Sequence, residues 1–236
     1  MKKQKLLVGI LLLGVNLFAQ SIYATFDVSA KQSAHVAFSS SGIIDEVLVD
    51  VGSVVSKKDI LATLDNKDSQ ALLHIHQTTL KYAKKDYDRQ VKIKNIIDRA
   101  KFDKYENVYE SAKAQVSYQK AILDKTILKA PFDAVVISKE VESGDVVSGQ
   151  QAKTAFQLQS INERKLILQF DQKYHNNVKV GDSYSYKIDG DEKKYIGKIV
   201  KIYPYADTKT RKIKAEVITK NIIVGLFGDG YITTQK

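Results

Sequence analysis

Two short, similar β-patterned segments on either side of a long stretch free of glycine and proline leave this chain few ways to fold. The segment from Gly42 to Val55 lines up, at an offset of 92 residues, with the segment from Ala134 to Val147. Each is built around a glycine turn, at Gly52-Ser53 and Gly144-Asp145, and each then returns toward a second strand, Ile60 to Leu64 and Phe156 to Leu158. A half of this size has one apolar face and no interior, so it must pair with its copy to bury that face. Pairing brings residues 65 and 127 together, and the chain between them must leave and come back.

The intervening stretch meets that demand as helix. Residues 53 to 130, 78 in all, contain neither Gly nor Pro, and the centre is rich in Ala, Lys, Gln and Leu. Phe102, Tyr105, Tyr109, Ala112, Val116, Gln119, Leu123 and Thr126 step by three and four, which is a heptad seam. The first part repeats the pattern more weakly: Leu73, Leu80 and Tyr87 are seven apart, with His76, Ala83, Gln90 and Ile97 between. Asp65, Asn66 or Asp68 is placed to cap the start, and the Ala130-Pro131 step favours extended backbone at the far end. The expected element is an antiparallel helical hairpin over 66–126, with its turn near Ile97 to Asp103.

From Ile161 onward the period changes to two. Leu166, Leu168 and Phe170, then Tyr184, Tyr186 and Ile188, then Ile213, Ala215 and Val217 alternate with polar residues. Asp189-Gly190 reads as a hairpin turn, and Gly181-Asp182 and Gly228-Asp229-Gly230 read as punctuation between strands. Closure into a small antiparallel barrel over 161–236 removes the edges that such short strands otherwise expose.

At the N-terminus, Lys2, Lys3 and Lys5 precede an apolar run from Leu6 to Ala19. This is the layout of a secretory signal peptide over 1–24, with cleavage near Ala19 or Ala24, and the run is shorter than the ~20 residues of a membrane-spanning helix. Without those three lysines, the formal charge of +10 falls to +7.

Several chemistries are excluded. With no cysteine there is no disulfide, thiolate metal site or cysteine nucleophile. His74 and His76 are two apart on a helix and point to different sides, unlike an i, i+4 metal pair. No nucleotide-binding or nucleophile-elbow string is present. The expectation is a protein that is not an enzyme, with no catalytic residue, metal or cofactor. Arginine is confined to Arg89, Arg99, Arg164 and Arg211, and the lysines interleave with acids along the helices, so the surface reads as a solvated helical face without a nucleic-acid interface.

The split repeat, the seam and the re-entry string from Thr126 to Val136 together resemble the periplasmic adaptor subunits, or membrane fusion proteins, of the HlyD-like superfamily. The family pattern at re-entry is close to T-x-I-x-A-P-x-D-G-x-V, with Ala134 here in place of the Gly. The resemblance implies an α+β chain: lipoyl-like sandwich halves at 34–65 and 127–160, an inserted coiled-coil hairpin, and a β-barrel. The short flanks at both chain ends lead us to expect that a membrane-proximal domain is absent. True lipoyl carrier domains present a modified lysine between their halves; here the long insertion occupies that place, and Lys67 lacks the Met-Lys-Met or Asp-Lys-Ala context.

What the resemblance implies for function is a hexameric ring in the periplasm, associated with the inner membrane. It would link an inner-membrane transporter of the resistance-nodulation-division (RND) type to a TolC-like outer-membrane channel, for efflux of drugs or other toxic small molecules. An ATP-driven exporter, a protein secretion system and an exported structural coiled-coil protein are the alternatives. The family's hairpin-tip signature, Arg-x3-Leu-x6-Ser, falls on Arg89, Ile93 and Ala100. Gly52 and Gly144 are the turn residues of the two halves.

Overall fold

The computed structural model describes residues 20–151 and 153–234, and the chain divides into two compact units. The leader expected at the N-terminus lies outside the described residues, except for its last five positions.

One unit joins the chain up to Lys31 to residues from Asn162 onward. It is a closed six-stranded antiparallel barrel. Its strands are β1 (Ser21–Ala30), β10 (Glu163–Asp171), β11 (Ser183–Ile188), β12 (Tyr195–Ala206), β13 (Lys212–Lys220) and β14 (Phe227–Thr233). Around the barrel the order is β1-β10-β13-β12-β11-β14. The alternating residues read from the sequence face inward: Leu166, Leu168, Phe170, Tyr184, Tyr186, Ala215 and Val217 are all buried in one core. The Tyr184 hydroxyl donates to the Ala24 carbonyl at 2.8 Å, and burial pushes that phenol well above its ordinary pKa.

This barrel corrects three expectations. It does not begin at 161: β1 closes it, pairing Phe26 with Leu168 on one side and with Gly228 on the other. Ile22, Ala24, Phe26, Val28 and Ala30 alternate inward along β1, so residues assigned to a leader flank are core. Cleavage after Ala24 would cut β1 and remove Ile22 and Ala24, both fully buried. Should the expected leader be removed, N-terminal sequencing is therefore expected to find a start no later than Ser21. A shortened chain beginning at Thr25 is expected to lose the barrel's cooperative melting transition, since the missing residues leave β10 and β14 unpaired at one end. Finally, Gly228 and Gly230 do not punctuate strands; they lie inside β14.

The other unit, Gln32–Ile161, holds two four-stranded sheets and two helices. Its remaining strands are β2 (Ser33–Val36), β3 (Gly42–Val47), β4 (Val54–Val55), β5 (Ile60–Leu64), β6 (Ile127–Lys129), β7 (Ala134–Lys139), β8 (Val146–Val147) and β9 (Phe156–Ser160). The sheet orders are β2-β9-β7-β4 and β6-β5-β3-β8. Each half of the repeat lends strands to the other: β2 and β4 complete the sheet of β7 and β9, while β6 and β8 complete that of β3 and β5. The buried core between them draws Ile44, Val55, Leu61 and Leu64 from the first half and Ala134, Val136, Phe156 and Leu158 from the second. Neither half has an interior alone, which is why the repeat closes on itself.

Between β5 and β6 run α1 (Lys67–Val91) and α2 (Arg99–Asp124). They lie antiparallel: Gln119 donates to the Ser69 carbonyl at one end, and Tyr87 packs on Phe102 at the other. The two seams face each other. Phe102, Ala112 and Gln119 on α2 and Ala83 on α1 are buried, and the other seam positions within the helices are half-buried. No helix among the described residues is long and apolar enough to cross a membrane.

Candidate functional site

Two places on the second unit carry the features singled out in the sequence: the paired glycine loops and the far end of the helices. The loops obey the 92-residue repeat bond by bond. Gly52 N–H donates to Val136 O at 2.9 Å, and its counterpart Gly144 N–H donates to Ile44 O at 2.8 Å. Val136 N–H returns to Ser53 O at 3.0 Å, and Ile44 N–H to Asp145 O at 2.8 Å. Lys139 then ties the two loops together through Asp50 (3.7 Å) and Glu142 (2.7 Å), themselves 92 apart; the Glu142 hydrogen bond raises the ammonium pKa above its ordinary value.

Gly52 and Gly144 have φ of 88° and 91°, and no atom stands within 4 Å of where a Cβ would sit. A side chain there costs conformational strain alone. Gly52→Ala and Gly144→Ala are each expected to lower stability by about 1–2 kcal/mol, equally within about half a kcal/mol, as read by denaturant melts.

The helices are anchored where β5 and β6 meet. Leu64 N–H donates to Thr126 O at 2.9 Å, and Ala62 lies opposite Leu128 in the sheet. Asn66 is the N-cap of α1, but its side chain makes no cap bond; its amide donates instead to the Thr126 hydroxyl at 3.0 Å and so latches the two helix roots. Toward the far end Tyr87 stacks on Tyr109, with centroids 5.1 Å apart, and packs against Phe102.

The turn itself spans residues 92–98, five residues before the expected 97–103. Asp98 sets it: its carboxylate accepts from Lys101 N–H at 3.2 Å and its carbonyl from Phe102 N–H at 3.0 Å, so α2 starts there. With no glycine to mark the turn, that N-cap aspartate was the one available signal.

Arg89 lies in the last turn of α1, exposed and paired with Asp86; Ile93 is in the turn, 45% exposed; Ala100 opens α2 and is exposed. The fold thus gathers all three at one end of the helices. It adds one residue that the sequence reading missed, Ile96, and gives Lys94, one of the basic residues near the turn, a place on the seam. Ile96, off the seam, is 87% exposed, and the Lys94 ammonium lies 4.7 Å from the Phe102 ring, covering the end of the seam. Across residues 86–103, Arg89, Lys92, Lys94, Arg99 and Lys101 stand against Asp86, Asp88, Asp98 and Asp103, with Arg89 paired to Asp86 and Arg99 to Asp103, which leaves this end slightly basic around an apolar point. Such a surface suits an acidic-rimmed partner with a hydrophobic pocket. His74 is exposed and His76 lies half-buried in the seam; among the described residues no three metal-binding side chains cluster.

The family model for the CzcB-like barrel-sandwich hybrid domain matches residues 32–159. The chain is 24% identical over 207 residues to the cobalt-zinc-cadmium resistance protein CzcB of Cupriavidus metallidurans, a match covering 80% of this chain and 39% of that protein. The matches span about a third to two fifths of the length of the curated relatives. Among solved structures, a MacA-MexA chimeric protein containing the Pseudomonas aeruginosa MexA alpha-hairpin domain is similar, with a TM-score of 0.80 at 21% identity, covering 92% of this chain and 80% of that one. The membrane fusion protein Spr0693 of Streptococcus pneumoniae R6 is similar with a TM-score of 0.73 at 18% identity, covering 92% and 100%. These likenesses establish the fold.

Proposed function

Because this chain belongs to the CzcB-like barrel-sandwich hybrid domain family, we propose that it is an efflux adaptor: a non-catalytic periplasmic subunit, held at the inner membrane, that joins a transporter to an outer-membrane channel. The observation that carries this reading is the closed repeat with its helices rooted at Leu64 and Thr126. A rigid base of that kind holds a basic, apolar-tipped rod away from itself, which is a docking device and not a reaction site. The seam contacts are those of a coiled-coil hairpin, whose end residues Arg89, Ile93, Ile96 and Ala100 dock on a TolC-like channel. Copies assemble in a hexameric ring, and an RND-type transporter feeds the duct. The transported cargo we assign to the class is toxic divalent cations of the cobalt, zinc and cadmium kind, supported by the likeness to a resistance protein for those metals.

Deletion of this gene is expected to sensitise its host to at least one of those cations, and the wild-type protein, crosslinked in cells, to bring down an outer-membrane channel together with an inner-membrane transporter. Unchanged tolerance to cations and drugs, with no channel recovered, would remove the adaptor reading.

A further inference from the structure

The first and last described residues of the barrel unit, Gln20 and Thr234, meet at one end of the barrel, where the Thr234 N–H donates to the Gln20 carbonyl at 3.2 Å. β1 starts at this end and β14 stops there, Ser21 lying opposite Thr233. Two connections cover it, residues 172–182 between β10 and β11 and residues 207–211 between β12 and β13. They are tied into one surface. The Asn177 amide donates to the Gln20 side chain at 3.2 Å, and Gln172 N–H donates to the Arg211 carbonyl at 3.1 Å. Val178 is buried in the barrel core, and half-buried Tyr174 packs against that core, which fixes the longer connection in place.

What this end turns toward solvent is basic. Lys173, Lys179, Lys209 and Arg211 are exposed, against Asp171 as the exposed carboxylate. The other two acids are drawn back into the loops. Asp182 is buried and accepts from Lys179 N–H at 2.8 Å; half-buried Asp207 accepts from Lys209 N–H at 2.9 Å and from Thr210 N–H at 2.8 Å. Counting half-buried Lys212, five cations stand against three acids, so the total excess is small and the exposed excess is larger. Among the described residues, the ion pair at this end joins Lys173 to Asp171 at 3.9 Å. Val180, beside Lys179 at the turn, is 62% exposed although Val178 two residues before it is core. Arg211 holds φ of 55°, a left-handed conformation that glycine adopts at lower cost, so a long cation stands where local backbone preference does not call for one.

We propose that this end of the barrel binds the surface of a bilayer that carries anionic phospholipid, its four exposed cations meeting headgroup phosphates and Val180 reaching the apolar boundary. Position and charge select that occupant. The apolar run Leu6–Ala19 stops one residue before Gln20, which this end holds. While that run is in the inner membrane during export, one Cα step of about 3.8 Å separates it from the surface described. A lysine or arginine beside an anionic leaflet strengthens binding about fivefold, and the effect fades within a Debye length of about 8 Å in physiological salt. The cations must therefore lie at the membrane itself to act, and the exit of the chain puts them there. The surface deepens the inner-membrane placement in the adaptor reading and rests on that reading for which membrane is met.

The chain from Gln20 onward keeps β1 and every described residue and lacks the apolar run, so whatever it binds is bound by the folded surface. It is expected to sediment with phosphatidylcholine vesicles containing about one third phosphatidylglycerol in about 0.1 M salt, and to leave them in about 1 M salt. Vesicles of phosphatidylcholine alone are expected to leave it in solution. Lys209→Gln with Arg211→Gln is expected to weaken binding about 20-fold while far-UV dichroism and the melting transition stay unchanged. Val180→Asp is expected to weaken it about tenfold. Lys193→Gln with Lys194→Gln, in the turn between β11 and β12 at the opposite end, removes the same charge and is expected to change binding less than about twofold. No binding to the anionic vesicles, equal binding to neutral ones, or an equal loss in the Lys193 and Lys194 variant would overturn the proposal. So would loss of cation tolerance with the Lys209 and Arg211 variant of a protein that ignores vesicles, which would assign this end to an acidic protein partner. Metal tolerance of the deletion strain reads the adaptor role without vesicles, so the two failures are told apart.

Discussion

Replacing Arg89 with glutamate is expected to abolish export while moving the melting temperature by no more than about 2 °C, the range of an exposed substitution in a chain this size. Arg89 is exposed at the end of α1, and its pairing with Asp86 is a surface contact within one helix, worth little to folding. Its removal therefore leaves the seam and the helix roots in place. The same change reverses a charge at a turn with a small basic excess, and sets a second carboxylate beside Asp86, so a partner that reads positive charge there meets repulsion. Arg89→Lys keeps the charge and is expected to retain most export. The measurement is growth of a deletion strain, complemented with each variant, across graded zinc, cobalt and cadmium, with channel co-purification alongside. Wild-type tolerance with Arg89→Glu would dismiss the assignment of this end as the docking point.

The largest loss of stability is expected from Gly230→Val. A Cβ at Gly230 would lie 2.2 Å from the Ser185 carbonyl oxygen and 2.7 Å from Tyr186 Cα, and at Gly228 it would lie 2.1 Å from the Lys187 oxygen. These are backbone atoms of the neighbouring strand β11, and a closed barrel cannot move one strand without opening another. Gly228 and Gly230 lie in β14 against Phe26 and Tyr186, whose rings are 5.3 Å apart, so the glycines are the space those aromatics occupy. The substitution is expected to cost more than about 4 kcal/mol, in the exceptional range for a single change. Limited proteolysis should then degrade 162–234 while the fragment around 32–161 persists. Gly190→Ala is the contrasting control: φ is 82° and nothing stands within 4 Å, so only about 1–2 kcal/mol is at stake. Equal melting of Gly230→Val and wild type would show that β11 yields at this point.

How much of this was legible beforehand differs by element. The repeat was visible because each copy keeps a glycine at the same place in a short β pattern, and the hydrogen bonds of Gly52 and Gly144 repeat at the same offset. The seam was visible because helix periodicity is local: Phe102, Ala112 and Gln119 are buried where the three-four spacing put them. The turn was misplaced because Asp98, the residue that starts α2, is one acid among several in a charged stretch. β1 was missed because it adjoins the leader, and its alternation has no turn residue before it. Gly228 and Gly230 were misread since glycine marks either a turn or a close approach, and only the position of Phe26 and Tyr186 tells which.

Local order, then, was written in the chain: period, turn chemistry, and the need of two incomplete halves for one another follow from neighbouring residues and from the area each segment must bury. Which strand crosses to which sheet, and the recruitment of Ser21–Ala30 to close a barrel whose other strands begin at Glu163, were decided only in three dimensions. The reason is that those choices are set by contacts between segments far apart in sequence, where closure of edges and complementarity of shape select among pairings that are locally equivalent.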